Sequence, residues 1–334
     1  MARPSRPGIP ASGAGCRASG TSGRRSRIAG TGLLLCVLLS AALLAGENGP
    51  PPAPEDPPPG PAEATALETA GADPPPPEGR EEGDASLHPY GFRQMGRDAR
   101  YLFTRPFHLD RTGWMKVAAT FGTTAILYAD RQLIRDLAQE RRTESGDDFF
   151  QKPRLMGKGA FAPSLALISY GASFATHDDR EKETAVLLLE SMGYSALLVG
   201  VGQWVLSTER PEDGDDIEFF SRRGHGVSGD AALAASVVPV LKNQYLLVRP
   251  GDGGGLRAWK RTATGLLYTG AFLTGYQRIN NDKHWAPDVF LGLVTGFTVG
   301  QILCDSHDQA RREQESRLAL TAVPGGIGLR IRLR

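Results

Sequence analysis

The chain has 334 residues, with 38 Lys plus Arg against 37 Asp plus Glu and three cysteines. That length holds one or two domains with a full core, and the near-balance of charge gives no argument for a nucleic-acid partner. Cys16 and Cys36 fall in the N-terminal leader described next. Cys304 alone remains, which excludes a disulfide framework and a cysteine metal site in the folded part.

Residues 1–27 carry six arginines and no acid, and the apolar run GTGLLLCVLLSAALLAG follows. Its length suits a signal peptide and is short for a membrane span. Residues 1–46 therefore read as an export signal, with small residues near Ala42, Ala45 and Gly46 to be cut; an uncleaved membrane anchor is the alternative. The signal implies an exported protein, periplasmic or membrane-associated. Half of the 24 prolines lie between Pro50 and Pro77, and residues 47–84 hold ten acids against the single base Arg80. Such a segment cannot bury enough apolar surface to offset its ordering entropy and reads as a disordered, extended spacer. In residues 85–334, 31 bases face 27 acids.

From about Tyr90 the apolar periodicity is helical. The run 114–140 predicts one long helix or two. The runs 162–176, 182–207, 230–241, 261–277 and 287–303 complete about six helices over a domain at 85–310. Gly and Ala are abundant in them, which permits close helix packing. Only 182–207 and 287–303 approach the length of a membrane span, and each contains an acid. The expected fold is an all-α bundle, soluble or membrane-associated. The tail, 311–334, alternates apolar and polar residues around Pro324-Gly325-Gly326, a hairpin signal that puts Ile327, Leu329, Ile331 and Leu333 on one face. His88, His108, His177 and His307 have no partner at metal spacing and read as surface residues. Residues 141–148 read as a solvated loop, and the acids at 212–216 lack a full calcium-loop pattern. No set of clustered ligands suggests a metal or cofactor.

Three charged, glycine-bearing islands stand beside apolar helices. The first holds Arg210-Pro211. The second, FFSRRGHGVSGD, holds Arg222, Arg223 and His225, then Ser228, Gly229 and Asp230 at a helix start. The third, RINNDKHWAPDV, holds Arg278, His284 and Asp288. Taken singly, each is a helix end, a loop or an N-cap. Together they suit a phosphate. Two arginines supply fork-shaped, permanently charged donors. A helix N-terminus at Ser228-Gly229 supplies free amides. A histidine with a carboxylate four residues on, sharing one helical face, can be an oriented nucleophile.

These residues resemble the type 2 phosphatidic acid phosphatase superfamily, which includes bacterial class A acid phosphatases and vanadium haloperoxidases. Its signature is Lys-x6-Arg-Pro, then Pro-Ser-Gly-His, then Ser-Arg-x5-His-x3-Asp. The resemblance covers roughly residues 180–305. It implies an all-α bundle with the site at one end of the helices. His284 would attack phosphorus and Asp288 would orient it. Arg210, Arg278 and the amides of Ser228 and Gly229 would bind the phosphoryl oxygens. No metal is implied for hydrolysis. The chain departs from the signature at Gln203, where the family has lysine, and at Gln277, where it has serine. In the second motif two registers stay open. Asp230 replaces the leaving-group histidine in one; in the other His225 keeps that role and Arg223 replaces the serine. Arg222 or Arg223 could restore the lost lysine charge. The implied function is an exported phosphatase acting on phosphomonoesters or lipid phosphates through a phosphohistidine. The alternatives are a degenerate scaffold that binds phosphate or lipid headgroups, and a vanadate-dependent haloperoxidase.

Overall fold

A computed structural model describes residues 92–214, 216–220, 224–323 and 326–331. The expected export signal, spacer and side chains of Arg222, Arg223 and Leu333 lie outside these residues. The described helices are α1 (Phe92–Thr104), α2 (Arg111–Ala129), α3 (Arg131–Glu140), α4 (Glu144–Gln151), α5 (Phe161–Thr176), α6 (Asp179–Val205), α7 (Gly229–Leu241), α8 (Gly254–Asn280) and α9 (Ala286–Arg317). Two short antiparallel pairs accompany them. β1 (Leu206–Thr208) pairs with β2 (Ile217–Phe219), and β3 (Leu318–Val323) with β4 (Gly326–Ile331). The fold is all-α, with the tail hairpin where the alternation placed it.

Local chemistry sets the helix starts. Asp110 caps α2 by accepting from the Gly113 amide at 2.7 Å, and Asp178 caps α6 through the Arg180 amide at 2.9 Å. Each satisfies an amide that has no partner in the first turn. His177, with φ of 55°, ends α5 in the left-handed conformation and separates it from α6.

The bundle is built around α7 and α9. Gly292, Gly296 and Gly300 stand four apart on α9. A Cβ there would lie 2.4, 2.1 and 2.5 Å from the carbonyl oxygens of Ser228, Ala232 and Ser236, which are also four apart on α7. The two backbones touch along two full turns, and only glycine fits. Leu187 and Leu188 of α6, Val237 and Val240 of α7, and Val299 and Leu303 of α9 form the dry core, with Leu102 of α1 and Ala162 and Ala166 of α5 against it.

Two helices, Asp179–Val205 and Ala286–Glu313, are long and apolar enough to cross a membrane by length and composition. Large apolar side chains also face outward: Phe121, Leu167, Ile168, Phe174, Trp259 and Leu266 are 62–73% exposed.

One open expectation is settled and three change. The stretch 114–140 is two helices, broken at Asp130. The loop expected at 141–148 turns helical at Glu144, because Thr143 accepts from the Gly146 amide at 3.1 Å. The last helix runs to Arg317 rather than about 303, since its polar second half carries no hydrophobic period to read. His307 is buried, not at the surface. Its ring nitrogens meet Glu183 at 3.0 Å and Asp98 at 3.1 Å.

Candidate phosphate site

Three helix ends meet at one end of the bundle: the exit of α6 through β1, the start of α7, and the α8–α9 turn. Ser228 is the N-cap of α7, with its hydroxyl 3.5 Å from the Ala231 amide. Its own amide donates to the Asp288 carbonyl at 3.0 Å, which ties the start of α7 to α9. The amides of Gly229 and Asp230 occupy the first turn, ahead of the intrahelical ladder.

The α8–α9 turn is held from below. Asp282 takes φ of 58°, and Arg135 Nε of α3 donates to its carboxylate at 2.6 Å. The Arg131 and Arg135 guanidiniums lie over the Trp285 ring at 5.5 and 5.9 Å. The Trp285 indole donates to the Glu209 carbonyl at 2.9 Å, and Lys283 pairs with Glu212 at 2.6 Å. The turn carrying His284 is thereby tied to the loop carrying Arg210.

His284 is 7% exposed. Its Nδ1 lies 3.2 Å from the backbone carbonyl of His225, and that carbonyl can only accept. This fixes the proton on Nδ1 and leaves the Nε2 lone pair free. The Asp288 carboxylate stands farther off, 4.0 Å from Nδ1. It accepts instead from the Trp285 amide at 3.2 Å and the Thr208 hydroxyl at 3.4 Å. Burial first, then the charges of Arg278, His225 and Arg210, push His284 down to about 3. Burial pushes Asp288 up to about 7, against the pull of the Trp285 amide and Thr208. The imidazole is neutral at any ordinary pH.

The His225 carbonyl is placed by the loop around it. The His225 amide donates to the Thr208 carbonyl at 2.9 Å. A Cβ on Gly226 would come within 1.6 Å of the Leu206 carbonyl oxygen, so the loop can lie against β1 only with glycine there. The His225 ring is half-buried. Burial lowers its pKa below 6.5, as does Arg210, while Asp213 pulls the other way.

Three arginines converge. Arg278 is largely buried; burial lowers its pKa, and Arg154 and Arg210 add to this by repulsion, with Asp230 opposing. The Nε atoms of Arg210 and Arg278 are buried and have no hydrogen-bond partner among the described residues. Unpaired guanidinium donors mark a place for an anion. Asp230 now sits there, with Oδ2 3.3 Å from Arg278 and 3.4 Å from Arg154.

The structure thus brings together His284, Asp288, Arg278, Arg210, Ser228, Gly229, Asp230 and His225. Gln203 is directed elsewhere: its amide nitrogen donates to the Val227 carbonyl at 2.8 Å, bracing the loop. Arg223 lies outside the described residues. Sequence reasoning missed Arg154, in the short turn Pro153–Gly157. It enters from a distant segment and adds a third cation beside Asp230.

No family model and no curated protein matches the chain. Two solved structures are similar to it. One is LpxE of Aquifex aeolicus, 24% identical over 52% of this chain and 93% of that one, with a TM-score of 0.38. The other is the first transmembrane PAP2 type phosphatidylglycerolphosphate phosphatase from Bacillus subtilis, 20% identical over 58% of this chain and 96% of that one, with a TM-score of 0.44. Both likenesses are distant.

Proposed function

We propose that the chain is a divergent, membrane-associated member of the type 2 phosphatidic acid phosphatase superfamily that hydrolyses phosphate monoesters of lipid or soluble alcohols. The observation that carries this reading is a buried, neutral His284 whose Nδ1 proton is fixed by the His225 carbonyl, beside guanidinium donors left without partners. Export rests on the leader sequence.

The substrate phosphate takes the place of the Asp230 carboxylate, its oxygens held by Arg154, Arg210, Arg278 and the first-turn amides of α7. The Nε2 lone pair of His284 attacks phosphorus. The ester P–O bond breaks, and the leaving oxygen takes a proton from the His225 ring. Asp288 and the His225 carbonyl stabilise the cationic phosphoimidazole. Water then attacks phosphorus, gives its proton back to His225, and the P–N bond breaks to release phosphate. Once Asp230 has given up its place, the protein supplies position and charge. His225 is preferred to Asp230 as the acid because two arginines engage Asp230. The lowered pKa of His225 makes the acid form scarcer as pH rises, so turnover should favour acidic pH.

The test compares an alkyl phosphate with an aryl phosphate in the presence of EDTA. His225→Asn should lose far more rate on the alkyl ester, whose leaving group needs the proton, than on the aryl ester. An equal loss on both would remove His225 from that role. Turnover by His284→Ala on either ester at the wild-type rate would end the phosphohistidine reading.

A further inference from the structure

At the far end of α9 lies a second buried constellation that the phosphate chemistry does not use. Asp98 of α1, Glu190 of α6 and His307 of α9 present ligand atoms that all lie within 4.8 Å of one another. They come from three helices and are 0, 6 and 4% exposed. His307 is 23 residues beyond His284, which places the cluster about 30 Å along the bundle from the phosphate site.

Two features separate this cluster from an ordinary ion-pair network. Both carboxylate oxygens of Glu190 are buried with no basic or neutral hydrogen-bond donor on them among the described residues, and the side chain they meet is another acid, Asp98. Burial and the negative charge of Asp98 act against the ionised form of Glu190, and only the His307 charge acts for it. Buried carboxylates are normally paired or bound to metal, because the cost of desolvating them is several kcal/mol. The second feature is the surrounding shell. The His307 Nδ1 faces Glu183 at 3.0 Å, and Glu183 is held by Arg311 at 2.7 Å. Asp98 Oδ1 accepts from Ser306 at 2.6 Å and from Gln94 at 2.8 Å. That leaves its Oδ2 and the His307 Nε2 turned towards each other at 3.1 Å. Two donors bound to one tetrahedral metal at about 2.0 Å stand about 3.3 Å apart. A carboxylate behind the ligating imidazole is the usual device for fixing its tautomer.

We propose that Asp98, Glu190 and His307 bind one divalent transition-metal ion of the zinc class, which clamps α1 to α6 and α9. Nε2 of His307, one oxygen of Asp98 and one of Glu190 supply three ligands, and water completes the shell. On binding, the proton shared between His307 and Asp98 leaves for solvent, so binding releases a proton. Three carboxylates, counting Glu183, then balance the dication and Arg311. One imidazole with two carboxylates suits zinc, with manganese a weaker competitor.

The full chain, stripped with EDTA and then dialysed, would be titrated with zinc chloride and with manganese chloride. Calorimetry should show one zinc per chain, bound at least tenfold tighter than manganese, and 100 µM zinc should raise the melting temperature. Glu190→Gln removes a ligand while keeping the shape of the side chain beside Asp98; Asp98→Asn removes a second. Each should weaken zinc binding at least tenfold and lose the thermal shift. His284→Ala should bind zinc as the wild type does, which separates this site from the phosphate site and from the fate of the phosphatase reading. Should the folded wild type take up no stoichiometric zinc, or should both carboxamide variants keep it, the proposal is overturned. The cluster is then an ion-pair network with a bridging imidazolium.

Discussion

Two buried histidines, one in the turn before the last helix and one towards its far end, are in opposite states. His284, at the helix mouth, meets burial and the positive charges of Arg278 and Arg210, and is driven down to about 3. His307, near the other end, is equally buried, and burial alone would lower it. Hydrogen bonds to Asp98 and Glu183 override that and lift it to about 9. The same side chain becomes a free lone pair at one end of the bundle and a cation, or its metal-bound equivalent, at the other. Burial does not decide the role; the sign of the neighbouring charge does.

This contrast can be broken from either side. The largest effect should come from His284→Ala, which should lower phosphate-ester turnover by about a thousandfold or more with little change in melting temperature. His307→Ala should do the reverse. It leaves Asp98 buried without its cation and Glu183 with Arg311 alone, which costs about 3–5 kcal/mol of stability, read by denaturant unfolding in EDTA. The fraction still folded should turn over substrate normally. Between these, Arg154→Ala should cost about a hundredfold in kcat/KM if it replaces the missing lysine, and Arg154→Lys should recover part of it.

The pH dependence of stability sharpens the comparison further. An unfolded His284 binds a proton below about 6.5 that the folded one refuses until about 3. Stability contributed there therefore falls as pH drops through that window. Asp288 acts in the opposite sense: its folded carboxyl holds a proton up to about 7, so stability falls as pH rises from about 4 to 7. The two slopes largely cancel in the wild type. His284→Asn should expose the Asp288 slope and Asp288→Asn the His284 slope, each a few kcal/mol across the window. The smallest effect belongs to Arg135→Ala, which loses a half-exposed ion pair beneath the turn and should cost about 1 kcal/mol of stability.

The two ends were not equally legible in the sequence. Arg278 lies in the last turn of α8, His284 in the turn that follows and Asp288 in the first turn of α9, so one short stretch of sequence puts them together. Ser228 was readable as an N-cap because capping is local chemistry. Arg154 was invisible, since it reaches Asp230 across 76 residues and its own neighbourhood carries no pattern. The His307 cluster was misread for the same reason. Its partner Asp98 is 209 positions away, and the polar end of α9 looked like a solvated face. The orienting acceptor of His284 was hidden too, because a backbone carbonyl leaves no mark in the residue type.

The glycine ladder between α7 and α9 has a consequence for how this chain can change over time. Gly292, Gly296 and Gly300 mesh with carbonyls spaced by one turn, like teeth in a rack. Two such helices can be displaced only by a whole tooth, about 6 Å along the axis. A shift of that size would carry the His284 ring clear of the α7 amides altogether. Small drifts in the outer helices therefore cannot detune the pairing of the proposed nucleophile and the α7 amides by degrees; the register is either kept or lost. The greasy outer faces are free to adapt to new surroundings while the working end keeps its gauge.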